Sequence, residues 1–221
     1  MGRGQFGIIQ SFKLAACLGI FAIAAAGGLF SQENVKLKVS NQPLTVEQIS
    51  VYRTVLQLQM EDNKMNVNLA VRTEPLRTEG PSDDQDCAKG YEMEAVSPRK
   101  VHRFRETDLT QLLPGRITLV DAEKQRREVK ENDPENALHN GASVDDAVRN
   151  GFAHGLLTLS EINFDKAHKH AIVSYSFVCG GLCGNGETIL LEKVGDEWQS
   201  KGHCDSWISR LEMRDAMKGP V

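Results

Sequence analysis

The sequence contains no dense basic run, no internal repeat and no low-complexity segment, and these absences narrow the range of functions. Its 26 lysines and arginines are outnumbered by 30 aspartates and glutamates, so the net charge is −4. Aromatic residues make up only 6% of the chain. Nucleic-acid interfaces need clustered positive charge, so nucleic acid is a poor partner. With 40% hydrophobic and 25% charged residues over 221 positions, the chain has the composition of one globular domain.

The N-terminus predicts export. Residues 14–30 form an uncharged, mostly apolar run that follows Arg3 and Lys13. A positive start, a short apolar stretch and small residues behind it are typical of a secretory signal peptide. We place the cleavage after Ala26, so residues 1–26 are the signal peptide and the mature chain, without a transmembrane domain, is secreted or periplasmic. An uncleaved N-terminal membrane anchor is the alternative, although the run is short for a spanning helix.

Four cysteines remain after this cleavage, Cys87, Cys179, Cys183 and Cys204. An even number in an exported protein points to disulfides, because the compartment is oxidising. Two of the four flank a glycine-rich loop in "SFVCGGLCGNGETILL", between two runs that read as strands. A disulfide would order this loop, whose glycines are conformationally free. Either Cys179 bonds to Cys183, or one of them reaches Cys204 or Cys87. For the long-range bond we favour Cys87–Cys204 or Cys87–Cys179.

The same loop has two chemical alternatives. Cys183 in "GLCGN" is similar to the glycine-flanked cysteine of chymotrypsin-like viral cysteine proteases, which would need a base such as His154. A second cysteine four positions away would tend to oxidise that nucleophile. A zinc site built from Cys179, Cys183, His203 and Cys204 is disfavoured, because adjacent strand residues point to opposite faces. We therefore expect no metal and no cofactor.

Secondary-structure signals indicate helices first and strands last. Thr45 and Gln48 form a capping box ahead of an apolar helical stripe, and Ser143 with Asp146 forms a second one. Residues 74–100 contain two proline turns and an acidic cluster, which indicates a long loop and a candidate functional surface. Four strand-like runs with short connections then follow: "LLTLSEINF", "HAIVSYSFV", "ETILLEKV" and "EWQSKGHC".

These signals predict an α+β fold, with a helix-rich N-terminal half packed on a C-terminal antiparallel β-meander. Similarity to nuclear-transport-factor-2-like cones, in which a curved sheet and helices enclose a pocket, gives the alternative fold. We expect residues 27–43 to be loose, 44–209 to form a single domain and 210–221 to be a frayed tail.

Four stretches near the C-terminus carry a resemblance to a known group of proteins. "LTLSEINFD", "SYSFVCGGLCGNG", "LLEKVGDEW" and "CDSWIS" together resemble an uncharacterised family of exported bacterial proteins with a CGGLCGNG loop. The resemblance extends from Thr45 to Ser209. It implies export and a C-terminal sheet, and it implies no known activity.

The sequence thus favours an exported, disulfide-braced, non-catalytic module that binds a small ligand or a protein partner. Its candidate binding surface consists of Trp198, Trp207 and Tyr175, although large aromatic residues on strands more often pack in a core. A cysteine-dependent hydrolase and a structural protein of the cell envelope are the two alternatives. His168 and His170 lie on a polar turn, where we expect them to be solvated.

Overall fold

The computed structural model describes residues 37–60, 66–76, 88–95, 97 and 99–209. These residues form nine strands and five helices. In chain order they are β1 Lys38–Ser40, α1 Val46–Met60, β2 Val67–Ala70, β3 Lys100–His102, α2 Glu106–Leu112, β4 Ile117–Val120, α3 Ala122–Glu131, α4 Pro134–His139, α5 Val144–His154, β5 Leu156–Leu159, β6 Asn163–Phe164, β7 His170–Gly180, β8 Cys183–Val194 and β9 Glu197–Ile208. The α+β class expected from the sequence is confirmed.

The large sheet is mixed, which the sequence did not indicate. Its strands lie in the order β4-β2-β5-β7-β8-β9, with β6 paired to β7. The pairs from β5 to β9 are antiparallel, as expected for the C-terminal meander. In contrast, β2 pairs in parallel with both β4 and β5. The N-terminal half therefore contributes two strands to the sheet, and the expected separation of helices from sheet is only approximate. Strands that run in parallel must be joined by a long crossover connection. The connection from β4 to β5 is of this kind and contains α3, α4 and α5.

Helix α1 is capped and oriented as its sequence predicts. The Gln48 amide donates to Thr45 Oγ1 at 3.1 Å, and the Thr45 amide donates to Gln48 Oε1 at 2.9 Å. This reciprocal pair satisfies two amides that the first helical turn leaves without partners. The apolar face of α1 packs on the sheet, where the Tyr52 hydroxyl donates to the Ser160 carbonyl at 2.9 Å. The main core therefore lies between α1 and the sheet.

The two faces of the sheet are defined by alternation along β7. Ala171, Val173 and Tyr175 belong to the main core on the α1 face. On the opposite face, Val178 packs against the cluster that contains Val129 of α3. These side chains point to opposite sides because the side-chain period of a strand is two. The last hairpin turns at Gly195 with a positive φ of 63°, as its "VGDE" sequence predicts.

Candidate functional site

A band of small polar side chains crosses the sheet on the face opposite α1. Thr158 of β5, Ser176 of β7, Gly186 of β8 and Trp207 of β9 are successive cross-strand partners. Directly opposed residues of antiparallel strands share one face. The neighbouring row runs in the same way, because Ser174 pairs with Thr188 and Thr188 with Asp205. Ser160 joins this row through two hydrogen bonds to Ser174, each 2.8 Å long. We call these residues the hydroxyl strip: Thr158, Ser160, Ser174, Ser176, Gly186, Thr188, Asp205 and Trp207.

The hydroxyl strip lies between two apolar clusters on the same face. Along β7, Ser174 and Ser176 belong to the strip. The nearest residues of β7 on the same face are Ile172 before them and Val178 after them. Val178 packs against the α3 cluster. Ile172 belongs to a cluster with Leu190 and Cys204 that is covered by Leu76, Ala88, Tyr91 and Met93. The strip is therefore a polar gap between two covered apolar areas of the sheet.

Trp207 lies over two glycines at the open end of the strip. A Cβ built at Gly186 would collide with Nε1 and Cε2 of the indole, and one at Gly184 would come within 3.4 Å of Cη2. The ring thus extends along β8 over both glycines, which are on the same face because they are two positions apart. Even so, 42% of Trp207 is exposed. The glycines of "CGNG" therefore allow an indole to rest against the sheet while it remains accessible from solvent.

Polar groups beside the indole remain available for a ligand. Ser174 and Thr188 share one hydrogen bond of 2.7 Å between their hydroxyl oxygens. Among the residues that the structure describes, nothing hydrogen-bonds the Ser176 hydroxyl or the Asp205 carboxylate. Thr158 is buried, whereas Asp205 and Trp207 are exposed, so the strip opens toward the edge strand β9.

The other two candidate binding residues do not join Trp207. Trp198 is only 4% exposed and packs with Phe164, their ring centroids 5.9 Å apart. Tyr175 is also buried and points to the α1 face, where its hydroxyl donates to Glu187 Oε2 at 3.3 Å. Burial and the Glu187 carboxylate raise the pKa of Tyr175 to about 12. Core packing accounts for Trp198 and Tyr175, so only Trp207 of the three presents an accessible surface.

The cysteine loop is closed on itself by a disulfide between Cys179 and Cys183. The alternative bond from Cys87 to Cys179 is therefore wrong, because the Cys179 sulfur is already used four positions away. Cys204 is disulfide-bonded as well. Cys87 lies outside the described residues, so the Cys87–Cys204 bond stays a prediction. With its disulfide intact, Cys183 has no thiolate to act as a nucleophile.

The loop is also fixed from outside by the start of α4. The Gly181 amide donates to Asp133 Oδ2 at 2.7 Å, and Asp133 caps α4 by accepting from the Glu135 amide at 3.0 Å. Gly180 has a φ of +153°, and a Cβ there would come within 2.7 Å of both Asp133 and Pro134. The glycine-rich loop at the end of the β7–β8 hairpin is therefore held by its own disulfide and by the start of α4.

His154 lies at the end of α5 and lines a half-open groove of about 380 Å³ beside β4 and α3. Several polar groups of this groove are used within the protein. His154 Nδ1 lies 2.9 Å from the Asn150 carbonyl oxygen, and Asn68 donates to the carbonyls of Ala153 and Gly155. The carboxylate of Asp121 caps α3. The charged side chains of Lys124 and Glu128 on α3 complete the lining of the groove.

A buried polar cluster that the sequence did not indicate lies at the carboxyl ends of β2 and β5. Glu161 accepts hydrogen bonds from the Thr73 hydroxyl and from the His102 amide, the latter at 2.7 Å. His102 Nδ1 lies 2.9 Å from Glu161 Oε2. Burial opposes ionisation of Glu161, but the hydrogen bonds from His102 and Thr73 outweigh it and lower its pKa. One feature of the sequence could have indicated this cluster: an acidic residue, Glu161, directly follows the mostly apolar run "LLTLS".

Comparisons of the chain with known proteins found no match. No family model matches it, and no curated protein or solved structure does. The resemblance to exported bacterial proteins and the cone-like alternative fold therefore stay predictions. Within the described parts of the chain, no group of three ligating side chains could hold a metal ion. No helix formed by these residues is long and apolar enough to cross a membrane.

Proposed function

We propose that this protein is an exported, non-catalytic binding module that recognises a saccharide at the hydroxyl strip. The observation that carries the proposal is the accessible indole of Trp207, resting on Gly184 and Gly186 beside unpaired polar groups. The disulfide between Cys179 and Cys183 supports export, because disulfides persist in oxidising compartments. It also supports a rigid site, since it closes the hairpin that contains both glycines.

A saccharide fits this surface better than an apolar ligand or an anion. A pyranose ring has an apolar C–H face that stacks on an aromatic ring, and hydroxyl groups around it that both donate and accept. The strip offers the same combination: the Trp207 ring, the Ser176 hydroxyl and the Asp205 carboxylate. An anion would be repelled by Asp205, and a purely apolar ligand would leave these polar groups buried without partners.

The same surface supports binding without catalysis. Most glycoside hydrolases use two carboxyl groups that flank the scissile bond. Asp205 is the one carboxylate among the residues of the strip. The hydrolase alternative through Cys183 would require a free thiol, which the Cys179–Cys183 disulfide removes. The structural alternative, an envelope protein, predicts no saturable binding at all.

The proposal is tested by nuclear magnetic resonance on the isotope-labelled mature protein. Its two tryptophans give two indole N–H signals, and Trp207→Phe assigns them. Titration with cellotetraose, chitotetraose and maltotetraose should shift the Trp207 signal saturably for at least one sugar. The buried Trp198 signal should stay in place. An open surface with one aromatic contact suggests a Kd of about 1 mM, or roughly −4 kcal/mol.

Matched variants separate the strip from the rest of β9. Trp207→Ala should abolish the binding, and Asp205→Asn should weaken it several-fold. Ile208→Ala should leave it unchanged, because Ile208 is 68% exposed on the same strand but pairs with Asn185 on the other face. Absence of saturable binding by the wild-type protein would favour the structural alternative. Release of shorter sugars during the titration would revive a hydrolase.

A further inference from the structure

His168 lies in the turn before β7 and contacts a carboxylate with each ring nitrogen. Its Nδ1 is 2.6 Å from Glu47 Oε2 at the start of α1, and its Nε2 is 3.1 Å from Glu94 Oε1. The ring also stacks on Phe164, with centroids 5.0 Å apart and planes 11° apart. The imidazole is thus held between two elements that are far apart in sequence, although the sequence suggested a solvated turn.

Both contacts can be hydrogen bonds to ionised carboxylates only when the ring is protonated. An ionised carboxylate only accepts hydrogen bonds, and a neutral imidazole has one N–H, so neutral His168 can satisfy only one of its two partners. The imidazolium donates to both. Hydrogen bonds to Glu47 and Glu94 outweigh desolvation and raise the pKa of His168 above its ordinary value of 6.5.

Glu94 belongs to residues 88–95, which we call the clasp segment. This segment covers the apolar cluster beside the hydroxyl strip, through Ala88, Tyr91 and Met93. It is also held by backbone bonds, since the Glu94 amide donates to the Phe164 carbonyl and the Lys166 amide donates to the Glu92 carbonyl, both at 2.8 Å. The His168–Glu94 contact is therefore one of several that attach the segment. A second histidine, His170, contacts Tyr91 of the same segment through its ring, with centroids 4.3 Å apart, whereas His168 contacts it through an ion pair.

The other charged groups around the turn determine whether His168 loses its contact with Glu47 or with Glu94 when the ring becomes neutral. Lys193 Nζ lies 2.9 Å from Glu47 Oε1, so Glu47 keeps a cationic partner when His168 is neutral. Glu47 is also less exposed than Glu94, 24% against 48% of the side chain. The remaining charged groups pair among themselves: Asp165 with His170, Glu192 with Lys201 and His170, and Glu92 with Lys166; Lys169 is on the same turn.

We propose that His168 is a pH-sensitive clasp, which ties residues 88–95 to the sheet when protonated and releases Glu94 when it loses its proton. The sign follows from the raised pKa. The clasp contributes fully below about pH 6.5 and is lost as the pH rises through the folded-state value above it. The exposed end of the cover beside the hydroxyl strip is then more mobile in mildly alkaline than in mildly acidic solution. This holds whether or not the strip binds a saccharide.

Two measurements test the clasp on the mature protein. Hydrogen exchange of the Glu94 amide, corrected for the intrinsic rate, should show a protection factor about two- to five-fold lower at pH 8.5 than at pH 5.5, as expected for an exposed ion pair. His168→Asn should have the low protection at both pH values. Asparagine is a suitable substitute because position 168 has a positive φ of 52° and asparagine tolerates that region. His139→Asn, which changes an exposed histidine on α4, should behave as the wild type.

The second measurement is a direct titration of the His168 ring by nuclear magnetic resonance. The pKa should lie above 6.5 in the wild type and fall in Glu94→Gln, because the amide removes one of the two charges. A wild-type pKa at or below 6.5 would overturn the proposal. So would protection that does not change with pH, or a pH dependence that persists in His168→Asn.

Discussion

The buried cluster at Glu161 permits the sharpest test of how this fold is stabilised. Two donors converge on Oε1, the Thr73 hydroxyl and the His102 amide, and His102 Nδ1 reaches Oε2 at 2.9 Å. Glu161→Ala removes the partner of His102 Nδ1. It leaves the His102 amide with Thr73 Oγ1 at 2.8 Å and the Thr73 hydroxyl with the His102 carbonyl at 3.3 Å. Removing one partner of such a buried pair costs about 3–5 kcal/mol of unfolding free energy. Glu161→Gln keeps one acceptor oxygen and loses the charge, so we expect about 1.5–3 kcal/mol.

The assay is urea unfolding followed by circular dichroism at pH 7. Domains of this kind have about 5–15 kcal/mol of total stability, so the glutamine variant stays measurable even where alanine prevents folding. The pH dependence gives a second readout. Because the pKa of Glu161 is lowered in the folded state, its contribution is present above about pH 4.5 and is lost as the pH falls through the folded value. Glu161→Gln should lose less stability on acidification than the wild type.

A matched control distinguishes burial from charge removal alone. Glu123→Gln changes a carboxylate whose side chain is 76% exposed and should shift stability by less than about 0.5 kcal/mol. If Glu161→Gln also shifted stability by less than that amount, the three hydrogen bonds would not have the strength that their geometry implies. An unchanged acid dependence would refute the lowered pKa in the same way.

Two further predictions concern the glycine and cysteine pattern of the C-terminal hairpins. Gly186→Ala should displace the indole above it, raise its accessibility to acrylamide quenching and cost about 1–3 kcal/mol, because the added Cβ overpacks the contact. Peptide mapping without reduction should find Cys179–Cys183 and Cys87–Cys204 and no free thiol in the mature protein. Replacing Cys179 and Cys183 by alanine should cost only about 2 kcal/mol, since the bond closes a loop of residues four positions apart. A free Cys204 in the wild type would contradict the mapping prediction.

Local features could be predicted because their causes lie within a few residues. The Thr45–Gln48 capping box is present. Ser143 caps α5 as expected, since its hydroxyl oxygen accepts from the Asp146 amide at 3.2 Å, but the Asp146 carboxylate accepts from the Ser143 hydroxyl instead of the Ser143 amide, so the reciprocal half of the predicted box is not formed. The antiparallel order of the last strands followed from their short connections. The disulfide Cys179–Cys183 was one of the pairings left open, because sequence spacing permits several and only position selects one.

The candidate site needed the register of four strands. Alternation along β7 separates Ser174 and Ser176 from the core side chains, and this is readable in the sequence. That Trp207 lies over Gly186 is not, because β8 and β9 shift register at two irregularities between Thr188 and Leu191. A one-residue shift moves every later side chain to the other face. Of the two tryptophans proposed from sequence, the pairing of β9 therefore places Trp198 in the core and Trp207 on the surface.

By itself, the sequence indicated the starts of α1 and α5, the C-terminal hairpins and the presence of disulfides, because these depend on neighbours in the chain or on composition. Only the tertiary structure decided that β2 lies in parallel between β4 and β5, that Glu161 meets His102, and that His168 joins Glu47 to Glu94. The partners in these contacts are tens of residues apart. Their meeting depends on the packing of the whole sheet, which no local pattern of residues encodes.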